Sequence, residues 1–175
     1  MATGDIERRA LAIELRATGR RLEGYAATFG VEARIGNFVE TISPGAFAAS
    51  LASGRDILAL ADHDATKLLA RSKSGTLRLS EDSKGLNFSI DVPKTQLGSD
   101  VLTLAERGDL GGMSFAFRTP AGGDEWSGNR RTLRSVELHE ISVVSAHPAY
   151  AGTSVNARMT LPPRLRLARL YLETV

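Results

Sequence analysis

Short runs in which polar and apolar residues alternate recur along this 175-residue chain and limit what it can fold into. They are residues 20–29 (RRLEGYAATF), 75–82 (GTLRLSED), 85–93 (GLNFSIDVP) and 111–119 (GGMSFAFRT). Because successive side chains of a strand point to opposite faces, each run predicts a strand with one buried face. The turn-forming residues between the second and third runs favour a hairpin, so the sheet is expected to be antiparallel there.

Helical patterns are fewer and lie in two places. Residues 95–107 carry apolar side chains at helical spacing, and Gly108 follows as a stop signal. Residues 43–54 (SPGAFAASLASG) predict a short helix that is capped by Ser43. Residues 120–131 (PAGGDEWSGNRR) combine Pro, Gly, Asp and Asn and predict a loop. Many strands with few helices predict an α+β fold that is β-rich and barrel-like, with a mostly antiparallel sheet and a few flanking helices.

The length suits a single domain, which we expect over residues 1–157. Residues 158–175 then form a short C-terminal tail, whose sequence is compatible with a helix or a strand. The formal net charge is +2 and no basic run occurs, so no specific nucleic-acid partner is expected. The N-terminal sequence has no apolar stretch long enough for a signal peptide or membrane span, which predicts a cytoplasmic protein without membrane contact.

Cysteine is absent, which excludes disulfides, cysteine zinc sites and a thiol nucleophile. Covalent catalysis would therefore need another side chain, and Ser114 is one candidate. It lies on the small-residue face of predicted strand 111–119, where two glycines permit close backbone approach. His63 follows the apolar run 57–61, which predicts a buried strand, and from the strand end its side chain can reach a cleft.

A third candidate lies in the longest β-like run, residues 133–145 (LRSVELHEISVVS). Simple alternation places Glu140 on one strand face with Leu138 and Ser142, among apolar neighbours. A buried carboxylate without a partner is strongly unfavourable, so Glu140 is expected to have a specific hydrogen-bonding role. The same alternation turns His139 to the other face, where a strand residue is commonly exposed.

His63, Ser114 and Glu140 together supply a base, a nucleophile and an orienting acid, which is the minimal set for acyl transfer. The residue pattern does not establish that they meet. A metal site is the chemical alternative. Its possible ligands are Asp62, His63, Asp64, His139 and His147. None of them shows a tight ligand spacing such as HExxH, so neither a metal nor a cofactor is expected.

Several motifs occur in a fixed order along residues 20–157. They are SPGAF (43–47), DHD (62–64), SGTLRL (74–79), GLNF (85–88), GGMSFAF (111–117) and LHEISVVSAHPAY (138–150). This series resembles the prohead serine proteases, or capsid maturation proteases, of tailed phages and gene transfer agents. The resemblance implies a fold like that of the herpesvirus assembly proteases.

The resemblance also implies a serine endopeptidase with Ser114 as nucleophile, His63 as general base and Glu140 as the third member. The family pattern LxEVSVV falls on residues 138–144 and so favours Glu140. Herpesvirus proteases use a second histidine as third member, which leaves His139 as the alternative.

The partners implied by the resemblance are the major capsid protein precursor and scaffold segments, cut inside the assembling procapsid in the cytoplasm of the bacterial host. Self-cleavage and a homodimer are further expectations. Two other interpretations stay open: a catalytically inactive capsid-assembly or scaffold-binding protein with the same fold, and a metal-dependent hydrolase.

Overall fold

The computed structural model describes residues 5–11 and 16–145. Within these ranges the strands are β1 (Glu7–Leu11), β2 (Arg16–Thr18), β3 (Arg21–Thr28), β4 (Ala33–Ile35), β5 (Phe38–Ile42), β6 (Leu58–Ala61), β7 (Asp64–Arg71), β8 (Leu77–Glu81), β9 (Gly85–Asp91), β10 (Gly112–Arg118), β11 (Asp124–Ser127), β12 (Arg130–Leu133) and β13 (Glu137–Val144). The helices are α1 (Ala48–Ala52) and α2 (Gln96–Arg107). The predicted tail, residues 158–175, lies outside the described residues, as does His147.

The described strands form three open sheets. A five-stranded central sheet has the order β1-β10-β13-β6-β7, and two four-stranded sheets have the orders β11-β12-β5-β4 and β2-β3-β9-β8. Only the pairs β12–β5 and β13–β6 are parallel among these strands. The α+β, β-rich and mostly antiparallel character predicted from the sequence is therefore confirmed. The prediction of a barrel-like sheet is not confirmed. The edge strands of the central sheet, β1 and β7, do not pair with each other, and the described strands do not close a barrel.

Several predicted elements lie where the sequence places them. The runs 75–82 and 85–93 form the antiparallel hairpin β8–β9. Helix α2 begins after Thr95, whose side chain accepts a hydrogen bond from the Gly98 N–H, and ends at Gly108 with φ of 72°. That left-handed conformation is one that glycine adopts without steric cost, which explains why the helix stops there.

Two sequence predictions about local structure are wrong. Residues 44–47 form turns, so α1 starts at Ala48 and its N-cap residue, Phe47, makes no side-chain cap. The predicted loop 120–131 contains β11 and the start of β12, which pair as an antiparallel hairpin. Its polar residues suit the solvent-exposed edge of a small sheet, and this edge position hides the strand signal.

A buried ion network joins β1 to the sheet that contains β5 and β12. Glu40 is 2% exposed and accepts hydrogen bonds from Arg9 Nε at 2.6 Å and from Arg131 Nη1 at 3.1 Å. Arg131 also binds Glu7, with 2.6 Å between Nη1 and Oε2. Burial raises the pKa of Glu7, but its hydrogen bonds from Arg131 and Arg9 outweigh that effect, and the net pKa is lowered. Glu7 is therefore ionised at neutral pH and paired with both guanidiniums.

Glu40→Ala is expected to lower the free energy of unfolding by about 3–5 kcal/mol, because it leaves two buried guanidiniums short of an acceptor. Urea denaturation of the two purified proteins measures the change. Glu125→Ala is the matched control, since Glu125 pairs with Arg134 but both side chains are more than half exposed. That variant should change stability by about 1 kcal/mol or less. Equal losses in the two variants would contradict a special role for the buried network.

Candidate active site

The three residues singled out in the sequence come together around one imidazole ring. His63 Nε2 lies 2.8 Å from Ser114 Oγ, and His63 Nδ1 is hydrogen-bonded to Glu140 Oε1. An ionised carboxylate only accepts hydrogen bonds, so Nδ1 carries the proton of the neutral ring and Nε2 accepts from the Ser114 hydroxyl. The side chains of His63 and Glu140 are 20% and 14% exposed, which limits competition from water.

Ser114 is fixed by the position of its strand. Strand β10 lies between β1 and β13, and Ser114 is directly opposite Ala10 on one side and Ser142 on the other. The adjacent residue, Phe115, is fully buried on the opposite face and packs edge-on against Phe47, with 5.5 Å between ring centroids. The hydroxyl is therefore presented by a strand that is held on both edges and anchored through its apolar face.

His63 lies in the two-residue turn between β6 and β7. Asp62 and His63 both have positive φ, 51° and 58°. Two successive left-handed residues are the pattern of a type I′ hairpin turn, where glycine or asparagine is most common. A histidine in this conformation is strained, and such strain persists only where surrounding contacts hold it.

Glu140 reaches the ring because β13 contains a β-bulge. The register pairs Ala116 with Glu140 but Phe117 with Leu138, so His139 is an extra residue in β13. Leu138 belongs to the core with Phe117, whereas Glu140 turns to the face of the candidate site. The expectation that Leu138 and Glu140 share a face is thus wrong, since the bulge shifts the alternation by one residue.

A family model described as Caudovirus prohead serine protease matches residues 5–162. The chain belongs to this family of prohead serine proteases. The structure is similar to that of the bacteriophage T4 capsid assembly protease, gp21, with a TM-score of 0.57 and 9% sequence identity. That similarity covers 81% of this chain and 96% of the T4 chain, and at such low identity it shows a shared fold. No curated protein matches the chain by sequence.

In this prohead serine protease, His139 is the alternative candidate for the third catalytic residue. Its surroundings differ from those of Glu140. Its Nδ1 lies 3.5 Å from Arg55 Nη1, and no hydrogen bond joins it to His63 in the described part of the chain. Burial, together with the positive charges of Arg55 and Arg118, lowers the pKa of His139. The ring is neutral at neutral pH and faces guanidinium groups, so it is poorly placed to stabilise an imidazolium at His63.

The acidic residues on either side of His63 are engaged by hydrogen-bond donors. Asp62 accepts two hydrogen bonds from Ser145, and Asp64 accepts two from Thr66. Across residues 5–11 and 16–145, no group of three or more His, Cys, Asp or Glu side chains is arranged to hold a metal ion. Nor does that part of the chain contain a helix long and apolar enough to cross a membrane.

Two contacts of the site are not predicted by the sequence: the pairing of Asp62 with Ser145, and the hydrogen bond that the Ser142 hydroxyl donates to Glu140 Oε1 at 3.4 Å. The sequence pattern indicates Asp62 only as a candidate metal ligand. The available signal was local: a two-residue connection between two strands requires positive φ, and aspartate tolerates that conformation better than most residues.

Proposed function

We propose that this chain is a serine endopeptidase that cleaves the major capsid protein precursor and scaffold segments inside the assembling procapsid. Ser114 is the nucleophile, His63 the general base and Glu140 the residue that orients the imidazole. The observation that carries this assignment is the single ring of His63, which is hydrogen-bonded to Ser114 through Nε2 and to Glu140 through Nδ1. Membership of the prohead serine protease family supports the reaction class.

The reaction proceeds through an acyl-enzyme. His63 Nε2 takes the hydroxyl proton as Ser114 Oγ attacks the scissile carbonyl carbon, and the carbonyl oxygen becomes an oxyanion. The tetrahedral intermediate collapses, the C–N bond breaks, and the imidazolium gives its proton to the leaving amine. Water then enters, loses a proton to His63, and attacks the ester carbonyl. As the acyl C–O bond breaks, the imidazolium returns that proton to Ser114 Oγ, and the new carboxylic acid leaves and ionises in solvent.

Glu140 acts through His63 in this scheme. Its carboxylate accepts from Nδ1–H, which keeps Nε2 free to receive the serine proton. When the ring becomes charged, the adjacent carboxylate stabilises the imidazolium in a partly buried site, where electrostatic interactions are stronger than in water.

The proposed substrate is supported by the descriptions of the matched family and of the similar structure. The family is one of prohead proteases, and the structurally similar T4 protein is a capsid assembly protease. The substrates we propose are therefore the capsid precursor, scaffold segments and the chain itself. The proposal places the protease domain at residues 1–157 and includes a homodimer as a possible active form.

Two measurements test the proposed function. The purified chain is incubated with the capsid precursor from the same genome, and intact masses are followed with and without a chelator. In parallel, a fluorophosphonate probe, which reacts with activated serines, is used to label Ser114 without any knowledge of the natural substrate. We expect discrete truncation of the precursor, resistance to the chelator, and labelling on Ser114.

Each other outcome points to a different interpretation. Labelling of Ser114 without cleavage of the precursor would support a serine hydrolase but reject the capsid precursor as its substrate. Binding of the precursor with neither labelling nor cleavage would favour a catalytically inactive assembly protein. Cleavage that the chelator abolishes would favour a metal-dependent hydrolase.

A further inference from the structure

Besides the hydrogen bond from His63 to Glu140, Asp62 ties the turn to the end of β13 and to Ser145, the next residue, through three hydrogen bonds. The Asp62 N–H donates to the Val143 carbonyl at 2.8 Å. Its carboxylate accepts from the Ser145 N–H at 2.8 Å through Oδ1, and from the Ser145 hydroxyl at 2.9 Å through Oδ2. The two carboxylate oxygens thus accept from one backbone donor and one hydroxyl donor of the same residue. Hydrogen bonds to a carboxylate are charge-assisted and stronger than neutral ones.

We propose that Asp62 is a positioning residue for catalysis: it clamps the strained turn to the end of β13 and so holds the His63 ring between Ser114 and Glu140. The inference rests on the proposed function, because it assigns a role in presenting the general base. Within the described part of the chain, the Asp62 carboxylate forms no hydrogen bond with His63, Ser114 or Glu140. It acts through the backbone of its neighbour.

The turn needs such a contact because its own strands hold it poorly. The β6–β7 pairing shifts register between Ala59 and Leu60 and again between Leu60 and Ala61, directly before the turn. Each shift interrupts the ladder of hydrogen bonds that would fix a regular hairpin. His63 also has positive φ, a conformation that a non-glycine residue keeps only when its surroundings impose it.

Strand β13 is the appropriate anchor because it also carries Glu140. Asp62 binds at Val143, near the end of this strand, and at Ser145, the residue directly after it. The base and its orienting carboxylate are thereby fixed to one rigid element, and that element is paired with the strand of Ser114. Misplacement of a reacting group by about 1 Å can cost about 10²-fold in rate.

Asp64, on the other side of His63, provides an internal contrast. Its Oδ1 accepts from the Thr66 N–H at 2.9 Å and the Thr66 hydroxyl at 2.6 Å, and its Oδ2 forms an ion pair with Lys67. These contacts stay within β7 and do not reach β13. Two aspartates that flank the same histidine therefore have different expected effects on catalysis.

Asp62→Gly tests the clamp without straining the turn, because glycine accepts positive φ while removing both side-chain contacts. We expect the rate of fluorophosphonate labelling of Ser114 and kcat on the capsid precursor to fall by about 10²-fold. KM should change little, because the substitution disturbs the presentation of the base. Asp64→Gly, the matched control, should label at the wild-type rate.

Asp62→Asn is the conservative rescue. Its amide oxygen can accept from the Ser145 N–H as the carboxylate does, and its NH₂ can donate to the Ser145 hydroxyl, so both contacts are kept and only the second exchanges donor and acceptor. Asparagine also tolerates positive φ. This variant should regain most of the rate lost in Asp62→Gly. Ser145→Ala, which removes the hydroxyl but keeps the N–H, should fall between them.

Proton NMR of the imidazole N–H gives a readout that needs no enzymatic activity. The Nδ1 proton shared with Glu140 should appear far downfield in the wild type and be absent in His63→Ala. It should weaken in Asp62→Gly, remain in Asp64→Gly and return in Asp62→Asn. Thermal denaturation of each variant shows whether the fold is intact.

The outcomes separate the clamp from the proposed function. Equal losses of rate in Asp62→Gly and Asp64→Gly, or a wild-type rate in Asp62→Gly, would overturn the role of Asp62. If the wild type shows no labelling, the proposed function fails, and the clamp is then judged by NMR alone. An unchanged downfield resonance in folded Asp62→Gly would reject it.

Discussion

Ser114→Ala and His63→Ala are each expected to lower kcat on the capsid precursor by about 10⁶-fold, and the double variant should lose no more than either one. The reason is that the two residues act as one unit: without the base the hydroxyl is not activated, and without the hydroxyl the base has no proton to take. Single-turnover cleavage, followed by intact mass over hours to days, measures rates of this size.

A serine elsewhere in the sheets provides the control. Ser89 lies on β9 and donates a hydrogen bond to Glu23 at 3.2 Å, away from the candidate site. Ser89→Ala should cleave at the wild-type rate. The joint role would be contradicted if the increases in activation free energy from Ser114→Ala and His63→Ala added up in the double variant, because additivity is the behaviour of independent sites.

Local sequence patterns predict several elements of the fold well. The hairpin β8–β9, helix α2 and strand β10 all follow from periodicity and from turn or cap residues within a few positions. The signals of the hairpin and of α2 are strong because these elements bury one face and leave the other more exposed, which produces a regular sequence pattern. Strand β10 is instead buried on both faces, although its sequence alternates. Strand β11 lies at a sheet edge with little burial, and its sequence pattern is correspondingly weak.

The contacts of the site could not be derived from residue patterns. His63 is 51 residues from Ser114 and 77 from Glu140, and no local periodicity encodes such approaches. Residue patterns indicated the three candidates, the family resemblance implied their roles, and the structure brings the three side chains together. The alternation argument for Glu140 was wrong in its physical reasoning, because it did not include the bulge at His139. A single inserted residue reverses a face assignment, and nothing in the composition of residues 137–144 reveals it.

Glu140→Gln is expected to lower kcat by about 10⁴-fold with little change in KM. Glutamine matches the shape of glutamate, but its amide group can donate a hydrogen bond to Nδ1 of His63. The ring then carries its proton on Nε2, and a protonated Nε2 cannot accept the proton of the Ser114 hydroxyl. The imidazolium formed during the reaction also loses its neighbouring negative charge. Cleavage of the capsid precursor at several substrate concentrations separates kcat from KM.

His139→Gln is the matched control for this prediction, because it changes the adjacent residue on the same strand. The His139 ring is neutral and lies beside Arg55, so its replacement should leave kcat nearly unchanged. Large loss in His139→Gln together with mild loss in Glu140→Gln would instead assign the third position to the histidine. The bulge makes this contrast informative, since it gives two consecutive residues of β13 separate environments and brings the carboxylate to His63.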